Sequence, residues 1–408
     1  MQLLNKIPRP SPARRALAAA DLAAADLAAV RRATTAFFAI DGFIFASWAV
    51  RIPAVKEQTA ASPAALGLAL LGASGGAVAT MAISGVLCRR FGSRPMTLAG
   101  AAALSAALLL PPLARSAPAL GLALVVFGIG YGCLNVAMNS LAVDLVAALR
   151  RPVMPSFHAA WSFGGLAGAS AGGLLAPHLS PLRHLALVAA AGLAVTVIGG
   201  RALLARPMPL ARPMPGMASG QPPGRPVAAS RHRVWRVVLL FGLIALCSAY
   251  GEGAIGDWGA LHLRQDLGAG PGLAAAGYAA FALAEACGRL AGATLLERLG
   301  QTRVLVLGGV TACAGMLAAA LAPVLLVALA GFALTGLGVA NMFPAAMTRA
   351  GLLAGPNGVA LASTLGYTGF LLGPPAIGFL AASAGLGAGL TTVSVLALAA
   401  AALAFAAR

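Results

Sequence analysis

Charged side chains are scarce in this sequence, and acidic ones are the scarcest. Only 9% of the 408 residues are charged, with ten Asp and Glu against 28 Lys and Arg. A soluble domain carries roughly a quarter charged residues, so this chain cannot cover a water-exposed surface. Apolar residues make up 60% of it. They fall into runs of about 20 residues, long enough to cross a bilayer core of about 30 Å. The composition excludes a soluble domain and predicts a multi-pass membrane protein.

Short alternating strands are also missing, which excludes a transmembrane β-barrel. Because backbone groups in lipid must pair within their own segment, the apolar runs predict helices. The predicted fold class is an all-α membrane protein of twelve transmembrane helices in two six-helix, pseudo-symmetric bundles. We place the spans at roughly 33–55, 64–88, 96–114, 118–147, 155–177, 183–203, 235–258, 272–296, 302–321, 323–348, 356–382 and 386–406.

Motifs of enzymatic and metal chemistry are absent. The sequence holds no H-E-x-x-H, no G-x-S-x-G and no phosphate-cradling glycine loop, which argues against an intramembrane enzyme. It also holds no C-x-x-C pair, so we expect free thiols, no metal and no cofactor. The five cysteines are Cys88, Cys133, Cys247, Cys287 and Cys313.

The basic residues are distributed unevenly between the two sides of the predicted bundle. When the loops are followed along the chain, 22 of the 28 Lys and Arg fall on one side. This positive-inside bias predicts cytoplasmic termini and a cytoplasmic central loop, in a bacterial inner membrane. The net charge of +18 therefore reports topology and indicates no nucleic-acid partner.

The chain divides into two related halves. We predict a cytoplasmic N-terminal tail at 1–32, a six-helix bundle at 33–205, a Pro/Arg-rich cytoplasmic linker at 206–233 and a second bundle at 234–408. The linker is too rich in Pro, Gly and Arg to hold a helix.

An offset of 208 residues relates these halves. It aligns Gly92 with Gly300, and it brings the G-I-G at 128–130 onto the G-L-G at 336–338. Six helices return the chain to its starting side, so the halves share an orientation and predict an axis along the membrane normal.

The segment R-R-F-G-S-R, between the second and third predicted spans, resembles the conserved loop G-x-L-x-D-R-x-G-R-[KR] of the major facilitator superfamily. Arg89 stands where that family has its acid, whereas the copy in the second half keeps one at Glu297. In the family this loop helps to latch the two halves at the cytoplasmic side. The latch residues implied by the resemblance are Gly85, Arg90, Gly92, Arg94, Glu297, Arg298 and Gly300.

Four further segments resemble the YbjJ-type and, more distantly, the fucose-permease branch of this superfamily. They are S-W-A-V-R-I-P-A-V, G-I-G-Y-G-C-L-N-V-A-M-N, S-F-H-A-A-W-S-F-G-G and E-G-A-I-G-D-W. The resemblance implies a transporter whose first and seventh helices line a central cavity.

Acidic residues at membrane depth are the candidates for coupling to protons. Asp41 lies seven residues before Trp48, and Glu252 lies six before Trp258, so the duplication places both acids at matching depths. Burial in a partly dry cavity disfavours a charged carboxylate, which suits a group that takes up and releases H⁺. The alternative is that each acid caps an unwound turn beside its neighbouring glycines. Trp48 and Trp258 themselves are typical of interfacial anchors.

A third proton-coupling candidate, Glu285, faces Arg289 at i, i+4. This pair is either structural or opened by the solute. The amides of Asn135 and Asn139 give the fourth span a polar stripe, for solute contact or for an interhelical bond. The substrate-cavity candidates are Asn135, Asn139, Trp258 and Asn341.

These features favour a secondary active transporter that moves a small, polar solute by alternating access, driven by the proton gradient. An efflux antiporter for drugs or metabolites and a non-transporting membrane sensor on the same fold stay open. The expected partners are a small-molecule solute and the lipid bilayer, with the protein a monomer.

Overall fold

The computed structural model describes residues 12–149, 153–205 and 228–407. Within these ranges the chain is helical and contains no strand, as the all-α prediction requires. The predicted linker lies largely outside them, and the next helix begins at Ala228. The helices are α1 (Pro12–Ala49), α2 (Ile52–Thr59), α3 (Pro63–Phe91), α4 (Ser93–Ala107), α5 (Ala117–Leu149), α6 (Met154–Leu175), α7 (Pro181–Leu204), α8 (Ala228–Ala254), α9 (Ala260–Gln265), α10 (Pro271–Leu299), α11 (Gln301–Ala320), α12 (Leu325–Val339), α13 (Met342–Ala384) and α14 (Leu386–Ala406).

The apolar helices make this chain a multi-pass membrane protein. Nine helical segments of the described ranges are long and apolar enough to cross a bilayer, and the pair α1 and α2, bent by 43°, would make ten. The helices α6 and α10 fall below that hydropathy, although they are 22 and 29 residues long. Glycine and serine dilute α6, and four charged residues dilute α10. The count of twelve spans therefore stays a prediction.

The first helix is longer than its predicted span. It runs unbroken from Pro12 to Ala49, through part of the predicted tail, and ends where the chain turns at Arg51. The short α2 follows, where a single span to residue 55 was predicted.

The sequence duplication is also a structural one. The helices α3 and α10 are each 29 residues long and begin 208 residues apart. Each is joined to the next helix by one glycine, Gly92 with φ 90° and ψ 150° and Gly300 with φ 79° and ψ 157°. Only glycine adopts this region readily, so the residue type fixes both joints.

The inner glycines of the repeat allow helices to approach closely at equivalent places. A Cβ on Gly128 of α5 would collide with the carbonyl oxygen of Ala73 on α3. A Cβ on Gly336 of α12 would collide with that of Phe281 on α10, and 281 is 73 shifted by 208. Small residues at such crossings let the helices pack closely. This van der Waals packing stabilises their association in lipid, where a hydrophobic driving force is missing.

The two halves meet along α3 with α13 and along α6 with α10. At the end of the bundle that carries α2 and α9, which we call the α2/α9 end, these contacts are tight. A Cβ on Gly67 would lie 2.5 Å from the carbonyl oxygen of Pro374, and one on Gly272 would lie 2.9 Å from that of Gly173. In contrast, a Cβ on Gly75, two turns further along α3, would meet no atom within 4 Å.

Candidate functional site

A central cavity lies between the two halves. Its empty space is about 890 Å³, a figure that includes space open to solvent. Helices α1, α3, α5 and α6 line it from the first half, and α8, α10 and α13 line it from the second. Three acids border it, Glu252, Asp257 and Glu285. Its aromatic lining is Phe45, Trp48, Phe127, Tyr131, Trp161, Tyr278, Phe281, Tyr367 and Phe370.

Arg289 joins the acids of the second half to the first half. Its Nη2 donates to Glu285 Oε1 at 2.9 Å and lies 3.4 Å from Glu252 Oε1. Its Nη1 donates to Ser162 Oγ of α6 at 2.8 Å. We call these four residues the Arg289 network. Because one guanidinium faces two carboxylates, the network holds more negative than positive charge when both acids are ionised.

Asp41 is fully buried one layer behind the cavity. Its Oδ2 accepts a hydrogen bond from Trp161 Nε1 at 2.9 Å, and its Oδ1 has no partner in the described part of the chain. The glycines beside it let α1 and α6 touch, since a Cβ on Gly42 would collide with the carbonyl oxygen of Trp161. Trp161 borders the cavity and therefore separates Asp41 from it.

Asp41 and Glu252 both lie inside regular helix. Asp41 lies eight residues before the end of α1, and Glu252 lies two residues before the end of α8. Neither acid caps an unwound turn, which was the structural alternative. Their neighbouring glycines serve close contacts instead, as Gly253 does against the ring of Phe370.

The polar candidates of the fourth span form a chain rather than a stripe. Tyr367 of α13 donates its hydroxyl to Asn135 Oδ1 at 2.9 Å, and Asn139 donates to the carbonyl oxygen of Asn135 at 2.8 Å. Asn135 thus reaches the cavity through Tyr367, which borders it. This bond also links the two halves.

The remaining cavity candidates lie elsewhere. Asn341, between α12 and α13, donates to the carbonyl oxygen of Gly288 at 2.9 Å and so ties two helices of the second half together. Trp258 is completely buried. Trp48 is 2% exposed and borders the cavity, so neither indole lies where an interfacial anchor would.

The latch residues lie at the end opposite α2 and α9. Arg94 donates from Nη1 to the carbonyl oxygen of Leu203 at 2.9 Å, which ties the joint at Gly92 to α7. Ser93 donates to Asp144 Oδ2 at 3.2 Å. Arg90, Glu297 and Arg298 are exposed, and Gly85 lies within α3.

Sequence reasoning missed the aromatic lining, Ser162 and the role of Asp257. This acid borders the cavity from a π-helical turn, Ile255–Gly259. One signal was available: Tyr131 follows the repeated Gly128 by three residues and so shares its helix face.

Comparisons with known proteins point in one direction. The family model described as Major Facilitator Superfamily matches residues 33–357. The chain is 34% identical over 364 residues to an uncharacterised MFS-type transporter of Yersinia pestis. The aligned region covers 88% of this chain and 91% of that one. The chain is also 31% identical over 353 residues to the membrane protein MosC of Rhizobium meliloti, with 86% and 83% covered.

Solved structures share the fold. A bacterial homologue of the human lysosomal transporter Spinster, crystallised in an inward-facing, unoccupied conformation, matches with a TM-score of 0.73 at 17% identity. The match covers 94% of this chain and 97% of that one. A mutant of the nucleoside transporter NupG matches with a TM-score of 0.69 at 14% identity, with 93% and 98% covered.

Proposed function

The chain belongs to the Major Facilitator Superfamily, and on that premise we propose that it moves a small polar solute across the bacterial inner membrane by proton-coupled alternating access. The observation that carries the proposal is the Arg289 network. It sets buried acids beside the central cavity and bonds one half of the protein to the other. A proton carrier placed there can affect both the solute site and the contact between the halves.

Alternating access is supported by the uneven contact between the halves. The α2/α9 end is closed by glycine contacts and by the ion pair of Arg264 with Glu57, whose Nε and Oε1 lie 2.8 Å apart. The predicted topology makes this end periplasmic. The described state would then have its outer side closed, and the next state would separate these contacts while the opposite end closes.

Coupling to protons is supported by the charge balance of the Arg289 network. With both acids ionised, Arg289 is held by Glu285 and by the weaker contact with Glu252. Protonation of one carboxylate removes the excess negative charge and weakens one of the two ion pairs that Arg289 makes. Because the same guanidinium bonds Ser162 in the other half, uptake of a proton changes the link between the halves.

Asp41 is a second proton-coupling candidate, on the first half. Its hydrogen bond with Trp161 connects it to a ring that the solute would touch. Movement of that ring on solute binding would alter the surroundings of a fully buried carboxylate, which is how a solute and a proton can exclude or favour each other.

The experiment that tests the proposal has two stages. First, metabolites inside and outside deletion and overexpression strains are compared to identify a transported solute. Then Asp41→Asn, Glu252→Gln and Glu285→Gln are assayed in proteoliposomes. If one of these acids carries the proton, its variant loses accumulation driven by a pH gradient and keeps exchange at equal solute concentrations. If all three retain full pH-driven accumulation, coupling through these acids is refuted.

A further inference from the structure

Four neighbouring aromatic rings border the central cavity. The ring of Phe45 has its centroid 6.1 Å from those of Tyr131, Trp161 and Tyr278. The four come from α1, α5, α6 and α10, and all border the cavity. The planes are tilted by 36° to 55°, so the rings are not stacked face to face. We call this set the aromatic cage. Ring faces attract cations, and such cages recognise ammonium groups.

The charged groups that border the cavity are acids. No Lys or Arg is among the described residues that line it, whereas Glu252, Asp257 and Glu285 are. The nearby Arg289 is already engaged with Ser162 and with two of these acids. An anionic solute would therefore meet carboxylates without an available counter-charge, while a cationic one would relieve their mutual repulsion.

Asp257 is the acid that Arg289 does not reach. Within the described ranges, the carboxylate of Asp257 makes neither a hydrogen bond nor an ion pair, although the residue is partly buried. It lies in the π-helical turn, a rare conformation that recurs at functional sites. The turn packs on the cage, since a Cβ on Gly256 would lie 3.1 Å from Phe45 Cζ and 3.8 Å from Tyr278 Cε2.

We infer that the cavity binds an organic cation, an amine or a quaternary ammonium compound, with its charge between the aromatic cage and Asp257. This inference names the solute class and rests on the proposed function for its transport, but the binding itself does not depend on transport. In this arrangement Glu252 and Glu285 stay paired with Arg289, and Asp257 is available to bind the solute.

Binding is tested on the detergent-purified full chain with matched probes. Choline is paired with 3,3-dimethylbutan-1-ol, in which carbon replaces the charged nitrogen, and 2-phenylethylammonium with 2-phenylethanol and phenylacetate. The readouts are the thermal unfolding temperature and the fluorescence of the cavity tryptophans. We expect the cations to stabilise the protein and change its fluorescence, and their neutral and anionic partners to bind at least about tenfold more weakly. Equal or stronger responses to the neutral or anionic member, or no response to either cation, would overturn the inference.

Variants then test the place of binding. Asp257→Asn should weaken cation binding about tenfold or more, whereas Asp266→Asn should not. Asp266 is a matched control because it lies outside the cavity, with its side chain 38% exposed and held by His262. Tyr278→Leu should weaken binding and Tyr278→Phe should restore it, because the ring face supplies the attraction. Cation binding that is unchanged in both Asp257→Asn and Tyr278→Leu would refute this site.

Transport assays separate the two proposals. If the cations bind through Asp257 but proteoliposomes carry no solute, the transport proposal fails and the cation site stands. If the metabolite comparison identifies a neutral or anionic solute that is transported, transport stands and the cation inference fails.

Discussion

Two consecutive residues of α6 contact charged groups on opposite halves of the protein. Trp161 donates to Asp41 on its own half, and Ser162 accepts from Arg289 on the other. Neighbouring residues on a helix point about 100° apart, so one turn of α6 faces α1 and α10 at once. A change in the charge of Asp41, or of the acids that bond Arg289, therefore acts on the same turn of α6.

Removing the hydroxyl of Ser162 should weaken the link between the halves. A hydrogen bond to a charged group contributes about 1.5–3 kcal/mol, and Ser162→Ala removes it from the described state. We expect a lower rate of pH-driven accumulation in proteoliposomes, with Ser162→Thr retaining more activity. Ser140→Ala is the control, since in the described ranges that hydroxyl bonds within the first half, where it donates to the carbonyl oxygen of Val136. Equal rates in Ser162→Ala and Ser140→Ala would contradict the role given to this bond.

Sequence could predict the depth of the buried acids but not their partners. Depth follows from distance along a helix, and so Asp41 and Glu252 could be assigned to the membrane interior. The residue that contacts Asp41 lies 120 positions away, and its identity depends on how α1 packs on α6. Arg289 could be paired with Glu285 because both share one helix, whereas Ser162, 127 positions away, could not be found.

At the scale of elements, single glycines join consecutive helices without a loop. The joint between α3 and α4 and its repeat between α10 and α11 both place a glycine at positive φ with extended ψ. A side chain in this region strains the backbone by about 1–3 kcal/mol. The joints therefore tolerate no other residue well.

The joints can be tested by their effect on stability. Gly92→Ala and Gly300→Ala should each reduce the free energy of unfolding by about 1–3 kcal/mol, seen as a lower unfolding temperature in detergent. Gly85→Ala, on the same helix α3, is the control: its φ is not positive and a Cβ there would meet only its own Arg89 side chain, at 3.9 Å. Since alanine favours helix, this control should be neutral or stabilising. A similar loss of stability in all three would show that the backbone angle is not the cause.

Element boundaries were predicted best where the chain turns sharply. The span predicted at 302–321 corresponds closely to α11, because a glycine joint marks its start. Breaks within apolar sequence were missed, since hydropathy does not change across them. One such break separates α12 from α13 at Ala340 and Asn341. Conversely, α13 runs through two predicted spans. The part of α13 around Met347 packs beside the part around Ser363, as the 3.4 Å distance between Met347 Sδ and Ser363 Oγ shows.

At the scale of the whole molecule, contact at the α2/α9 end defines the described state. Gly67→Ala should disfavour it, because the added Cβ would lie 2.5 Å from the carbonyl oxygen of Pro374. Gly75→Ala on the same helix should not, because that Cβ would meet nothing within 4 Å. The measurement is the yield of crosslinking by a short bis-maleimide between Glu57→Cys and Arg264→Cys. Equal yields in the two glycine variants would refute the closing role of this contact.

The orientation of the bundle remains a prediction from the 22 basic residues on one side. A reporter fused after Arg408 or inserted beside Ser219, both outside the described ranges, should be active only in the cytoplasm. The reverse orientation would be revealed by a periplasmic signal at either place. It would also place the closed α2/α9 end inside the cell.

The glycine joints have a mechanical consequence. Because a single glycine joins α3 to α4, and another joins α10 to α11, a tilt of one helix in each pair is transmitted to the next. A helix of 29 residues is about 44 Å long, so a rotation of about 10° around its middle moves each tip by about 4 Å. A displacement of that size would lengthen the 2.8 Å contact between Arg264 and Glu57 well beyond hydrogen-bond distance. A small rotation of one half against the other is thus enough to separate the contacts of the α2/α9 end.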